Sequence, residues 1–365
     1  MKRPINILDI SDIHLGHNET ETSFIIKNIK NMFEEYFSII KNSNYLILSG
    51  DFFHKLLPNN SLEYKESIDF LIYLASFCKK QNISLRILEG TPSHDFKQLE
   101  TFSNILNKLS IDIDFKYIDK LYIEYNKELD FTLLYIPDEV NHEAEITQRE
   151  ILELLRKHNL EKVDHITIHG QCHYHLPIFS KASFDENFLL SITDNFIVNG
   201  HIHTFSTYGR IITVGSIDRL SHNEEEKKGM IYISYLSSGN EYLFLENKNA
   251  RIYKTLKYSI VDPDTIVKDI ERLKLPIDSR IRIKCDKLNG NKNIKSLLSE
   301  RFKNYKFKIT DNKEQKTIKE SLKITFNELH ITKENIVELI NDRLHRLNLN
   351  ESLYSSINKE LKDLL

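Results

Sequence analysis

Aspartate and histidine residues recur in closely spaced pairs along the first 210 residues, and both side chains bind metal ions. Mixed carboxylate and imidazole ligands suit Mn, Fe or Zn better than Ca or Mg. Six such residues are too many for one tetrahedral ion, but they suit two octahedral ions that share a bridging carboxylate. Two ions roughly 3.5–4 Å apart can hold the attacking and leaving oxygens of a phosphoryl transfer. The six candidate ligands are Asp12, His14, Asp51, His169, His201 and His203.

The other histidines need a separate interpretation, because a chain with 15 histidines produces single pairs by chance. His173 and His175 have ligand-like spacing just after His169. They lie beyond the end of a predicted strand, in a loop, and we therefore predict that neither binds a metal ion. Four more are interpreted as surface or hydrogen-bonded core residues: His17, His142, His158 and His222.

The candidate ligands follow short apolar runs that predict buried strands, several of which end beside glycine. Apolar residues at helical spacing predict helices between the first three runs, at 22–41 and 61–81. Parallel strands present their carboxyl ends at one edge, where open α/β sheets hold their ligands. We therefore expect the candidate residues to converge at that edge. The predicted strands cover residues 5–10, 45–48, 85–88, 165–169 and 196–199.

The order of the predicted elements indicates an α/β fold with two sheets packed face to face and helices outside. The strand–helix alternation at the start predicts parallel strands with right-handed crossovers. A domain with the metal-ligand residues is predicted at 1–250, and a small α+β capping domain at 251–327. A helix–loop–helix segment is predicted at 328–365, and its two apolar stripes must pack against this chain or a partner.

Charge is unevenly distributed, although the net charge is only −3. Residues 251–365 carry 25 basic and 17 acidic side chains, whereas the first 250 carry 25 basic and 36 acidic. An acidic part can attract cations, and a basic part can meet a polyanion such as DNA. The alternative interpretation of the basic span is a solvated face. The candidate DNA contacts are Arg280, Arg282, Lys284, Lys306 and Lys308.

Cysteine content and hydropathy limit the compartment. Cys78, Cys172 and Cys285 are far apart and odd in number, so they predict neither a disulfide framework nor a zinc knuckle. No apolar run reaches the ~18 residues that a membrane span needs. The start of the chain leads directly into a predicted strand, without a secretory signal. We expect a cytoplasmic protein, or one in the host cytoplasm if a phage encodes it.

The ordered series Asp-x-His, Gly-Asp-x-x-His, Gly…His-Asp, His-Gly and Gly-His-x-His resembles the calcineurin-like metallophosphoesterases. It is most similar to the SbcD-type DNA nuclease subunit of bacteria and phages. His54, three residues after Asp51, matches the nuclease form, where many relatives have Asn. Residues 214–229 resemble the stretch that follows Gly-His-x-His in these nucleases. The resemblance covers about residues 8–230.

The resemblance implies a role for each matching residue. His94 would stabilise or protonate the leaving 3′ oxygen with Asp95 as its orienting partner, and His54 would contact the substrate phosphate or assist catalysis. Two Mn ions are implied, with Mg and other divalent ions as alternatives. One ion would be held by Asp12, His14, Asp51 and His203, and the other by Asp51, His169, His201 and Ser93.

One loop departs from the family pattern. The family has Gly-Asn-His-Asp or Gly-Asn-His-Glu, and the Asn amide oxygen binds the second metal. Here residues 90–95 form a loop two residues longer, with Ser93 directly before His94. A serine hydroxyl is a poorer ligand and reaches less far. We therefore expect the second metal to bind more weakly, or water to fill the place of the amide.

The resemblance implies a Mn-dependent exo- or endonuclease subunit of a recombination and repair complex. Its substrate would be double-stranded DNA ends, and the chain would form a homodimer. The C-terminal helices would dock on an SbcC-type, SMC-like ATPase. Two alternatives stay open: a phosphodiesterase of the same fold for a small molecule or nucleotide, and a DNA-end-binding scaffold subunit with a vestigial site.

Overall fold

The computed structural model of the chain describes residues 4–138, 143–176, 180–259, 262–285 and 294–311. Within these residues, two six-stranded sheets and one three-stranded sheet are flanked by nine α-helices. The predicted α/β fold with two large packed sheets is confirmed. The predicted helix pair at 328–365 lies outside the described residues.

The bounds of the elements follow the sequence pattern closely in the first half of the chain. The strands are β1 Ile5–Ile10, β2 Tyr45–Ser49, β3 Ser84–Leu88, β4 Phe115–Ile118, β5 Tyr122–Asn126, β6 Phe131–Ile136, β7 His165–His169, β8 Ile197–Gly200, β9 Ser206–Tyr208, β10 Ile211–Thr213, β11 Gly229–Tyr235, β12 Glu241–Glu246, β13 Tyr253–Tyr258, β14 Arg280–Cys285 and β15 Lys306–Asp311. The helices are α1 Thr22–Glu35, α2 Phe37–Ile40, α3 Leu62–Gln81, α4 Pro92–Asp95, α5 Phe102–Lys108, α6 Ala144–Lys157, α7 Glu186–Ser191, α8 Pro263–Leu273 and α9 Ile294–Arg301.

Both large sheets have a parallel centre with antiparallel strands at their margins. The first sheet has the order β12-β11-β1-β2-β3-β4, with β1 to β4 parallel. The second has the order β5-β6-β7-β8-β10-β9, with β6, β7, β8 and β10 parallel. The carboxyl ends of β1, β2, β3, β7 and β8 are the ones that carry the candidate ligands.

Alternation along the central strands explains why both faces of each sheet are apolar. Ile7 and Ile47 lie in the core between the two sheets, whereas Leu8 and Leu48 pack under the helices of the first sheet. Successive side chains of a strand point to opposite faces, so a continuous apolar run serves both layers. A third core lies between the second sheet and helices α6 and α7.

The chain divides into two compact units, Met1–Lys254 and Thr255–Leu365. In the second unit β14 and β15 are parallel, and their apolar residues pack with α8 and α9. The register pairs Arg280 with Lys306 and Arg282 with Lys308. Because alternate residues share a face, the five predicted DNA contacts lie on the sheet face opposite the helices.

Some elements differ from the prediction. The predicted helix at 22–41 is divided at Tyr36, which leaves helical geometry with φ −98° and ψ 15°. The Tyr36 hydroxyl donates a hydrogen bond of 3.0 Å to the Glu246 carbonyl, which anchors this break. The strand β4 and the short helices α4, α5 and α7 were not predicted. No helix among the described residues is long and apolar enough to cross a membrane.

Candidate metal centre

The loops after β1 and β2 run side by side beyond the strand ends. The backbone N–H of Asp12 donates to the Gly50 carbonyl at 3.2 Å, and that of His14 donates to the Asp51 carbonyl at 2.9 Å. Asp12, His14 and Asp51 have φ values of 51°, 53° and 50°, in the left-handed region that L-residues rarely adopt. Such conformations cost about 1–3 kcal/mol each and concentrate at functional sites. The backbone pairing therefore holds the two carboxylates and the imidazole together.

The first cluster of candidate ligands consists of Asp12, His14 and His203, whose ligand atoms all lie within 4.8 Å of one another. The two imidazole Nε2 atoms are 3.0 Å apart. Asp12 Oδ2 accepts hydrogen bonds from Ser11 Oγ at 2.6 Å and His201 N at 3.1 Å. Its Oδ1 is buried and accepts no hydrogen bond from any described residue. A buried carboxylate oxygen without a donor, facing two imidazoles, fits a divalent cation.

The second cluster consists of Asp51, His169 and His201, also within 4.8 Å. Asp51 Oδ1 lies 3.3 Å from His169 Nε2. Asp51 Oδ2 lies 3.6 Å from His14 Nε2, which belongs to the first cluster. The two oxygens of one carboxylate therefore face the two clusters, as a bridging ligand requires.

His169 lies in a slot that two glycines leave open. Its Nδ1 is 2.7 Å from the Ser49 carbonyl, so Nδ1–H donates there and Nε2 is available as a ligand. A Cβ atom on Gly50 would lie 2.2 Å from this Nδ1, and one on Gly200 would lie 2.8 Å from it. Gly50 and Gly200 therefore cannot carry a side chain, because the His169 imidazole packs directly against them.

We expect replacement of Gly200 by Ala to lower the free energy of unfolding by about 1–3 kcal/mol, the range for inserting an atom into a packed core. Its Cβ would also meet the Ser49 backbone oxygen at 2.4 Å, which cannot rotate away. Urea denaturation measures the change. Gly170→Ala is the matched control, since its Cβ would meet only the Phe184 ring, at 3.4 Å. Equal stability of the two variants would show that a Cβ at Gly200 fits beside His169, contrary to this account.

His203 is held by a buried ion pair that the sequence prediction did not include. Its Nδ1 lies 3.2 Å from Glu224 Oε1. Lys228 Nζ lies 3.0 Å from Glu224 Oε2 and donates to the His203 carbonyl at 2.8 Å. Ser216 Oγ also donates to Glu224 Oε2, at 3.1 Å. Glu224 therefore accepts the Nδ1 proton, which leaves the Nε2 lone pair of His203 facing the first cluster.

Glu224→Gln is expected to weaken binding of the first metal by about 10–100-fold, as loss of such an orienting partner usually does. Isothermal titration with Mn²⁺ measures this directly. Glu246→Gln is the control, because Glu246 pairs with the exposed Lys227 at 2.8 Å. If both variants bind Mn²⁺ like the unmodified chain, Glu224 does not position His203.

His54 and His94 lie beside the first cluster. His94 Nδ1 is 2.6 Å from the His54 carbonyl, to which it donates. His54 Nδ1 is 3.4 Å from His14 Nδ1. His17, which was interpreted as an ordinary histidine, packs against His54 with ring centroids 4.5 Å apart. Its proximity could not be seen from spacing, since the loop must fold back to bring it there.

Asp95 does not contact His94 in the manner expected of an orienting partner. Its Oδ1 accepts from Phe53 N and its Oδ2 from Gly90 N, both at 2.8 Å. Asp95 is buried, and it ties the loop after β2 to the loop after β3. The partner that orients His94 is the His54 carbonyl.

Ser93 is not where the sequence prediction placed it. It is exposed on α4, and neither ligand cluster includes it. Thr91 lies at the second cluster instead, with its Oγ1 3.2 Å from Asp51 Oδ2 and 3.2 Å from His201 Nδ1. The two additional residues of the loop are absorbed by the helical turn that begins at Pro92, so the residue after Gly90 faces the site.

The charges of the site are set by burial and by neighbouring ions. Burial lowers the pKa of His14 well below its usual value and, with the His169 charge, lowers that of His201 to about 4. Burial alone would lower the pKa of His169, but Asp51 and Asp12 raise it to about 10. A metal ligand must be deprotonated, so an ion and a proton compete for His169 Nε2.

The remaining predicted residues lie apart from these clusters. His175 Nε2 lies 2.9 Å from Thr213 Oγ1. His173 Nδ1 lies 4.0 Å from Glu186 Oε2, and these two residues and Asp185 form a separate cluster of potential ligand side chains. Among the five predicted DNA contacts, Arg280 is buried, whereas Lys306 and Lys308 are exposed. The other two are half-buried.

Comparison with known proteins identifies no family. No family model matches the sequence, and no curated protein matches it. One solved structure is similar to 67% of this chain over all of its own length, at 11% sequence identity and a TM-score of 0.41. Likeness at that level says nothing about activity, so function must be inferred from the site itself.

Proposed function

We propose that this chain is a Mn²⁺-dependent phosphodiester hydrolase that cuts DNA as the nuclease subunit of an SbcCD-type complex. The observation that carries the proposal is the position of Asp51. Its two carboxylate oxygens face two separate ligand clusters, 3.3 Å from His169 Nε2 and 3.6 Å from His14 Nε2. A bridging carboxylate between two mixed-ligand clusters is the arrangement expected for a two-metal phosphodiesterase.

The residues present fit two divalent ions. Bound ions of this kind supply Lewis acidity toward the phosphate and lower the pKa of water. Asp12 Oδ1 is buried without a hydrogen-bond donor among the described residues, which favours a cation at the first cluster. The first ion would be held by Asp12, His14, His203 and Asp51, and the second by Asp51, His169 and His201.

The chain's own residues supply the proton chemistry. His94 Nδ1–H donates to the His54 carbonyl at 2.6 Å, so Nε2 is the nitrogen left to meet a leaving oxygen. As an imidazolium, with hydrogens on both nitrogens, His94 can give the Nε2 proton to the departing 3′ oxygen and become neutral, a contribution of about 10²–10⁴-fold.

His54 has a separate role in this proposal. Burial and the neighbouring His17 lower its pKa to about 4, so it is neutral at pH 7. If its Nδ1 accepts the proton of His14 Nδ1, 3.4 Å away, its own proton lies on Nε2. That N–H can donate to a substrate phosphate oxygen, while His14 keeps Nε2 as a lone pair toward the first cluster.

DNA as the substrate is supported by two features of the chain. His54 is the residue type found at that position in the nuclease branch. The basic residues of β14 and β15 share one face of the small sheet, and the exposed Lys306 and Lys308 on that face can pair with phosphates, whereas Arg280 is buried. The SbcC-type ATPase, the homodimer and the cytoplasmic location belong to the same proposal.

A substrate panel tests it. The purified chain is incubated with linear and hairpin double-stranded DNA, a cyclic nucleotide and bis(p-nitrophenyl) phosphate, with and without an SbcC-type ATPase. We expect Mn²⁺-dependent cutting of DNA that EDTA stops and added Mn²⁺ restores. Hydrolysis of the small diesters alone would replace the nuclease by a small-molecule phosphodiesterase. DNA binding without cutting under every condition would leave a scaffold subunit.

A further inference from the structure

We infer that the Thr91 hydroxyl is the neutral ligand of the second metal ion and fixes the orientation of the bridging carboxylate. The inference rests on the two-ion site of the proposed function. It concerns a residue that spacing alone did not single out, since Ser93 stands directly before His94 in the sequence.

The contacts of Thr91 converge on the second cluster. Its backbone N–H donates to Asp51 Oδ1 at 2.6 Å, and its Oγ1 donates to Asp51 Oδ2 at 3.2 Å. The same Oγ1 lies 3.2 Å from His201 Nδ1 and 3.5 Å from His169 Nε2. All three members of the cluster are thus within 3.5 Å of one hydroxyl oxygen.

The hydroxyl has the valence for both tasks. A threonine hydroxyl has one proton and two lone pairs. Its proton goes to Asp51, which is the only carboxylate of the three neighbours. The lone pairs then remain on the side of His169 and His201, where the ligand nitrogens of the cluster lie.

The His201 ring can also be oriented for metal binding at the second cluster. Gln171 Nε2 lies 3.1 Å from His201 Nε2. A 180° rotation of the amide would place its oxygen there to accept the Nε2 proton, which would leave the Nδ1 lone pair of His201 facing Thr91 and the cluster. Gln171 and Thr91 therefore contact opposite nitrogens of one ring.

The loop backbone delivers Thr91 to this place. A Cβ on Gly90 would lie 2.0 Å from the Asp51 backbone nitrogen, so the chain before Thr91 runs directly against Asp51. Pro92 then begins the helical turn that leaves Ser93 exposed. A side chain that reaches the second cluster from this loop must come from the residue between Gly90 and Pro92.

A hydroxyl is a weaker metal ligand than the carboxylates and imidazoles around it. The second ion should therefore bind less tightly than the first. Isothermal titration with Mn²⁺ should therefore give two steps for the unmodified chain. Thr91→Val preserves the shape and the backbone N–H but removes the hydroxyl. We expect it to weaken the second step by tenfold or more and leave the first unchanged.

Electron paramagnetic resonance gives an independent readout. Two Mn²⁺ ions that share a carboxylate give an exchange-coupled spectrum, which a single bound ion does not. We expect that spectrum in the unmodified chain and in Thr91→Ser, and its loss in Thr91→Val at matched Mn²⁺ concentration. Ser93→Ala is the control and should behave like the unmodified chain. Thr91→Ala replaces Thr91→Val if the valine variant fails to fold by circular dichroism.

The outcomes separate the two proposals. Two bound ions in both Thr91→Val and the unmodified chain, with equal affinities, would overturn the role of Thr91 and leave the two-ion site intact. A weakened second step in Ser93→Ala, with Thr91→Val unaffected, would return the role to Ser93. Fewer than two ions in the unmodified chain would overturn the two-ion site itself, and the role of Thr91 with it.

Discussion

Replacing Asp51 by Asn is expected to lower the rate of the proposed Mn²⁺-dependent DNA hydrolysis by about a thousandfold. A metal that polarises a phosphoryl oxygen contributes several kcal/mol of transition-state stabilisation, and about 4 kcal/mol corresponds to a factor of a thousand. Asn has nearly the same shape but one charge fewer and one oxygen fewer. Because the two oxygens of Asp51 face different clusters, the substitution weakens the binding of both ions.

The measurement combines single-turnover DNA cutting with Mn²⁺ titration of the same preparation. Asp194→Asn is the matched control, because Asp194 is exposed and pairs with Lys162 at 2.6 Å, away from the ligand clusters. Circular dichroism confirms that both variants are folded. If Asp51→Asn cut DNA at the unmodified rate, the assignment of this site would be wrong.

Arg86→Met is expected to reduce the free energy of unfolding by about 3–5 kcal/mol, the usual effect of removing one partner of a buried ion pair. The Arg86 side chain is fully buried. It donates to both carboxylate oxygens of Glu124, from Nε at 2.8 Å and from Nη2 at 2.5 Å. Arg86 lies on β3 of the first sheet and Glu124 on β5 of the second. The pair therefore joins the two sheets, and its loss leaves the buried Glu124 carboxylate with only the partly exposed Lys116, 3.2 Å away, as a cation.

Urea denaturation at several pH values tests this expectation. Burial alone would raise the pKa of Glu124, but hydrogen bonds from Arg86 hold it below its usual value. The stabilisation is therefore complete above the unfolded-state pKa, near 4.5, and is lost as the pH falls through the folded-state value. The difference in the free energy of unfolding between Arg86→Met and the unmodified chain should become smaller at acid pH. Lys162→Met removes a pair that is about half exposed and should cost less than about 1 kcal/mol; a similar loss in both variants would contradict the buried-pair account.

Most of the sandwich could be predicted from local sequence patterns. The runs that become β1, β2, β3 and β7 are mostly apolar and are followed by glycine or polar residues, so their bounds were predicted to within one residue. The candidate ligands follow from the same pattern, since Asp51 comes directly after Gly50 at a strand end. Parallel strand order then places such residues at one edge without further information.

The rest depends on contacts that local patterns do not encode. In the loop at 90–95, the close packing of Gly90 and the helical turn that begins at Pro92 place Thr91 at the second cluster. The sequence does not show this packing, and counting back from His94 therefore selected Ser93. Glu224 is 21 residues from His203 in the sequence and reaches it only through the folded loop before β11. Asp95 was assigned to its neighbour His94, whereas its hydrogen bonds go to two backbone N–H groups.

The left-handed backbone of the site has a consequence for how this chain can change. Asp12, His14, Asp51 and His201 all have positive φ, and glycine would relieve about 1–3 kcal/mol at each. Glycine would also remove the ligand. Selection for stability and selection for chemistry therefore oppose each other at the same four positions. A lineage that no longer needed the proposed chemistry could become more stable by losing these candidate metal ligands first.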